Sequence, residues 1–67
     1  MKSLNLKRIR ELREGKGMSM EQAAIKARMS GRQYWHYIES GTLKDIKLST
    51  LERVATVLGV TAKDLLK

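Results

Sequence analysis

One stretch, residues 19–41, constrains this chain more than any other: SMEQAAIKARMSGRQYWHYIESG carries the same helix-start signal twice. Ser19 is followed by Gln22, and Ser30 by Gln33. In each pair the serine hydroxyl can accept a bond from the backbone amide three residues on, while the glutamine reaches back to the serine's own amide. Gly41 then supplies a stop. The pattern predicts two short helices joined by a tight turn, the first from Ser19 to about Ala27 and the second from Ser30 to Ser40.

The same logic extends in both directions. Asn5 is expected to cap a first helix, with Leu4 and Ile9 as a hydrophobic staple, a buried stripe of Leu6, Ile9, Leu12 and the stem of Arg13, and a stop at Gly15–Gly17. Ser49 with Glu52 predicts a fourth helix burying Leu51, Val54, Ala55 and Leu58 and ending at Gly59. Thr61 with Asp64 predicts a short fifth, stapled by Val60 and Leu65. Apolar residues recur at helical spacing almost throughout, without strand-like alternation. The 67 residues contain no cysteine and no proline. Disulfides and thiolate zinc sites are therefore excluded, and stability must come from caps, aliphatic packing or a second subunit. The expected fold class is all-α: a compact five-helix domain occupying residues 1–67, with no linker, repeat or second domain.

Charge narrows the function. Fourteen Lys and Arg stand against 7 Asp and Glu, a formal charge of +7, which favours a polyanionic partner. No segment has the length of a transmembrane helix, and the N-terminus lacks the apolar run of a signal peptide, so no membrane association and a cytoplasmic location are expected. At 100° per residue, Gly31, Tyr34, Trp35 and Ile38 share one side of the third helix. Gln33, His36, Tyr37 and Ser40 fall opposite, with Arg32 and Glu39 on a flank. A tight helix pair whose second member carries an exposed polar face, in a basic chain, fits a helix-turn-helix with that face in the DNA major groove.

The candidate base-reading residues are Arg32, Gln33, His36 and Tyr37. Arginine can donate two bonds to guanine O6 and N7, and glutamine can bridge adenine N6 and N7. Gln33 is claimed by two roles, since a side chain closing a cap cannot freely read a base. Tyr37 is divided between DNA contact and partial packing, whereas Trp35 belongs to the core with Ile38. Candidate phosphate contacts are Ser19 and Ser30 at helix starts, with Lys26, Arg28, Lys44 and Lys47. His36, the only histidine, has no partner with which to build a metal or catalytic site. With no phosphate loop, metal cluster or nucleophile set, no enzyme, cofactor, metal or small-molecule ligand is expected.

Four stretches carry a family resemblance: LREGKGMS at 12–19, QAAIKA at 22–27, YWHYIESG at 34–41, and LSTLERVATVLGVTAKDLL at 48–66. In this order and spacing the chain resembles the lambda-repressor-like DNA-binding domains, the Cro/C1-type helix-turn-helix regulators, over nearly its full length. The resemblance implies that Arg13 pairs with Glu39, tying the first helix to the end of the third, and that Arg32, Gln33 and Tyr37 match side chains reaching base edges. It also shows a departure. One residue more than usual lies between Ala24 and Glu39, near Arg28–Gly31, and Arg28 or Met29 replaces the turn's customary glycine. The expected function is a sequence-specific regulator of Cro-like size, binding double-stranded DNA at a palindromic site as a homodimer, with Val60, Leu65 and Leu66 as the dimer contact. The competing class is a protein-interaction module, such as an antitoxin half or a coactivator.

Overall fold

The computed structural model describes residues 4–43 and 46–67. Four α-helices follow one another: α1 (Leu6–Gly15), α2 (Met20–Lys26), α3 (Arg32–Ser40) and α4 (Leu48–Leu58). A 3₁₀ turn over Ala62–Leu65 stands where a fifth α-helix was expected. Four residues are too few for a run of i→i−4 bonds, so the chain closes with the tighter i→i+3 pattern.

Three of the expected starts hold. Asn5 Oδ1 accepts from the Arg8 amide at 3.2 Å. Ser19 and Gln22 form the full capping box, at 3.1 Å and 2.9 Å. Thr61 and Asp64 form another before the 3₁₀ turn. Two starts do not. Gly31, in extended conformation, precedes α3 with no side-chain cap, so the Ser30–Gln33 box is absent and the helix begins at Arg32. Likewise Lys47 precedes α4, which absorbs Ser49 into its first turn and leaves no Ser49–Glu52 box. In α4, Thr50 and Leu51 both face the core, and burial of that face sets the register over the local cap signal.

All four helices end alike. Just past each helix an amide bonds back to the carbonyl five residues earlier: Met18 N–H to Arg13 O (3.2 Å), Met29 to Ala24 (2.9 Å), Thr42 to Tyr37 (3.1 Å) and Val60 to Ala55 (3.0 Å). Each is a Schellman closure with a left-handed residue. Those residues are Gly17, Arg28, Gly41 and Gly59. Arg28, at φ 60°, is the position where the missing glycine of the turn would stand.

The core gathers Ile9 from α1, Ala23 and Ala24 from α2, Trp35 and Ile38 from α3, Leu51, Val54, Ala55 and Leu58 from α4, and Leu65 from the 3₁₀ turn. Leu6 and Leu12 are only half-buried. Small residues on α2 let it lie close against α3, its main packing partner. The two ends of the described chain meet: Asn5 N–H donates to Leu65 O at 2.8 Å, and Leu4 bridges to Leu66. Of the expected dimer contact, one residue is closed off. Leu65 is wholly enclosed by its own chain, whereas Val60 and Leu66 are half-buried, Leu66 with its backbone bridged to Leu4.

Candidate nucleic-acid interface

Behind α3 the chain builds a charged lock. Arg13 reaches from α1 and donates to Glu39 twice, Nε to Oε2 at 2.6 Å and Nη2 to Oε1 at 3.1 Å. Its third nitrogen donates to the Met18 carbonyl at 2.9 Å, in the loop before α2. The Trp35 indole N–H donates to the same carboxylate. One group thus ties α1, the α1–α2 loop and two turns of α3 together. The side chains of Arg13 and Glu39 are 9% and 5% exposed, so this is a buried pair rather than a surface one. Hydrogen bonding to Glu39 raises the Arg13 pKa above its ordinary value and outweighs the opposing effect of burial. The pair implied by the resemblance is present. The Trp35 and Met18 bonds were not read from the sequence, since no local spacing marks them.

In front, Arg32, Gln33 and His36 are exposed and Tyr37 is half-buried. The absence of a cap at Ser30 resolves the double claim on Gln33: its side chain does not bond back to the helix start. Instead Nε2 donates to the Tyr37 hydroxyl one turn on, at 2.6 Å. The His36 and Tyr37 rings stand 6.2 Å apart, tilted by 50°. Arg32 lines a shallow cleft with Ser19, Met20 and Glu21, where the starts of α2 and α3 converge. The four candidate base-reading residues therefore occupy one helix, but Arg32 lies nearest the start of α2 while Gln33 and Tyr37 form a bonded pair.

The flanking candidates are spread around this helix. Ser19 is engaged in its capping box, whereas Ser30 lies exposed in the turn without a capping role. Lys26, Arg28 and Lys47 are exposed, and Lys44 lies outside the described residues. Lys26 and Arg28 share a second cleft with Arg53 and Glu52 of α4. Arg53 Nε donates to the Ala27 carbonyl at 2.9 Å, joining α4 to the end of α2 just ahead of the left-handed Arg28. Arg53 was missed because its partner is a backbone atom distant in sequence. Among the described residues no cluster of His, Cys, Asp or Glu is arranged to hold a metal, and no helix is long and apolar enough to cross a membrane.

A family description, that of a helix-turn-helix domain, matches residues 7–66. The chain belongs to this family. Its place among the lambda-repressor-like, Cro/C1-type members is supported by two solved structures of SinR. One is SinR, described as the master regulator for biofilm formation, in complex with DNA. It superposes with a TM-score of 0.80 at 32% identity, over 90% of this chain and 94% of that one. The other, the SinR–SinI complex, gives a TM-score of 0.81 at 32% identity over 90% of this chain. There the chain spans 57% of the SinR length. No curated protein sequence matches the chain.

Proposed function

We propose that this protein is a sequence-specific double-stranded-DNA-binding transcriptional regulator, a Cro-like repressor acting in the cytoplasm. The observation that carries the reading is the two-sidedness of α3. Trp35 and Ile38 are buried behind it while Arg32, Gln33 and His36 stand exposed in front. Such a helix is rigidly backed and free to enter a major groove by its N-terminal end. The likeness to SinR, solved with DNA, supports the same use of the helix. Arg32, Gln33, His36 and Tyr37 are assigned to base edges. Ser19, Lys26, Arg28, Ser30, Lys44 and Lys47 are assigned to phosphates. A homodimer reading a palindrome is proposed because one small module buries little surface for specificity, and half-sites about 10 base pairs apart would follow.

A second reading is a protein-docking module, an antitoxin half or a coactivator. It is favoured by two large apolar side chains left exposed, Ile25 and Leu48, and by the solved complex of SinR with SinI. Selection from a random duplex library at moderate salt, followed by affinity measurement across salt concentrations, separates the two. The regulator enriches one palindromic motif, and log affinity falls against log salt with a slope of about −0.9 per phosphate contacted. No enrichment and no salt dependence would leave the docking module.

A further inference from the structure

We propose that Tyr37 is a specificity-positioning residue: its hydroxyl holds the Gln33 amide in the orientation that reads adenine. The inference rests on the base-reading role given to Gln33 above and adds how that reading is set.

The two side chains sit one turn apart on the same face, and Gln33 Nε2 donates to the Tyr37 hydroxyl at 2.6 Å. Gln33 is exposed, has no capping partner, and on its own would sample many rotamers. Tyr37 is half-buried, its ring centroid 6.2 Å from that of His36. Its stiff side chain, with only two rotatable bonds, can therefore restrain a flexible one. An amide has two N–H groups and one carbonyl oxygen. With one N–H given to Tyr37, the other N–H and Oε1 remain outward. That donor–acceptor edge is the one adenine N7 and N6 require. Rotation of the amide by half a turn would set its oxygen against the tyrosine, whose hydroxyl would then donate, and turn the N–H groups outward, an edge richer in donors for guanine O6 and N7. Because the tyrosine oxygen accepts the bond, its own proton is left to point toward a phosphate or a base acceptor.

Immobilising a rotamer-rich side chain on binding costs about 0.5–1.5 kcal/mol, a factor of about 2–12 in affinity. Restraint before binding should return that factor to one adenine per half-site. The test compares wild type, Gln33→Ala, Tyr37→Phe and the double variant by selection from a random duplex library, then by titration of the selected duplex and its single-base substitutions. Gln33→Ala should lose discrimination at one adenine by about 5- to 150-fold. Tyr37→Phe should relax the same position by about 2- to 12-fold and add nothing in the Gln33→Ala background. Alongside, side-chain couplings of Gln33 in the free protein should report one dominant rotamer in wild type and averaging in Tyr37→Phe, with unchanged melting.

Averaged Gln33 couplings in wild type would overturn the proposal without touching the base-reading role. So would a Tyr37→Phe variant that leaves the Gln33 position unchanged, or that relaxes it as much in the Gln33→Ala background, because Tyr37 would then act by its own contact and not through Gln33. If Gln33→Ala left the preference intact, the base-reading role of Gln33 would fail, and this inference with it.

Discussion

Glu39 is the residue on which the rear of α3 depends, since its one carboxylate accepts from both Arg13 and Trp35. Removing one partner of a buried pair leaves the other charge uncompensated, at a cost of about 3–5 kcal/mol. Glu39→Gln keeps the shape and an oxygen for the indole, so a loss of about 3 kcal/mol is expected, read as a lower urea midpoint followed by Trp35 fluorescence. Base preference measured where the variant remains folded should be unchanged. A wild-type midpoint would remove the lock from the account. At this scale the sequence was uneven. The Arg13–Glu39 pair followed from family resemblance, and Trp35 was legible as core from its helical phase. The Gln33–Tyr37 bond was not, because the serine–glutamine signal assigned Gln33 to a cap that the chain does not form.

At the scale of elements, helix ends proved more legible than helix starts. Glycine stops at Gly17, Gly41 and Gly59 stand where expected because a left-handed residue strongly favours glycine. Starts at Ser30 and Ser49 failed because a serine hydroxyl contributes only about 1 kcal/mol, less than the burial of a helix face. Arg28 is the exception among the stops, a long side chain held at φ 60°. A left-handed residue with a Cβ costs roughly 1–2 kcal/mol. Arg28→Gly should therefore raise thermal stability by about 1 kcal/mol, seen as a higher melting temperature, while weakening DNA affinity if the arginine clamps a phosphate. Gly41→Ala should do the reverse for stability: φ is 78°, and a Cβ there would lie 2.9 Å from Leu6 Cδ1. A loss of about 1–2 kcal/mol is expected in denaturant titration.

The Thr61–Asp64 box adds a pH dependence to the last element. Bonds from the Thr61 backbone and hydroxyl hold the Asp64 pKa below its ordinary value. A carboxylate with a lowered folded pKa contributes stability that is present above its unfolded pKa and lost as pH falls through the folded one. Asp64→Asn should thus lose less stability than wild type as pH falls below about 4, measured by melting across pH. An identical acid limb in both proteins would show that the box carries no such coupling.

At the scale of the whole molecule, a charge of +7 on 67 residues and a helix backed by the core converge on one use. Composition made the polyanionic partner legible and helical phase made the exposed face legible. The dimer contact was less so: Leu65 is enclosed by its own chain, while Val60 and Leu66 stand half-buried. Surface left open is a property of the packed whole, and no local pattern reports it. The most direct measurement is chemical-shift mapping of the labelled protein with the duplex recovered by selection. The account predicts the largest shifts at Arg32, Gln33, His36 and Tyr37, weaker ones at Lys26, Arg28 and Lys47, and none beyond background at Ile9, Val54 or Leu58. Shifts centred on Ile25, Leu48 or the far side of α4, with α3 undisturbed, would contradict it.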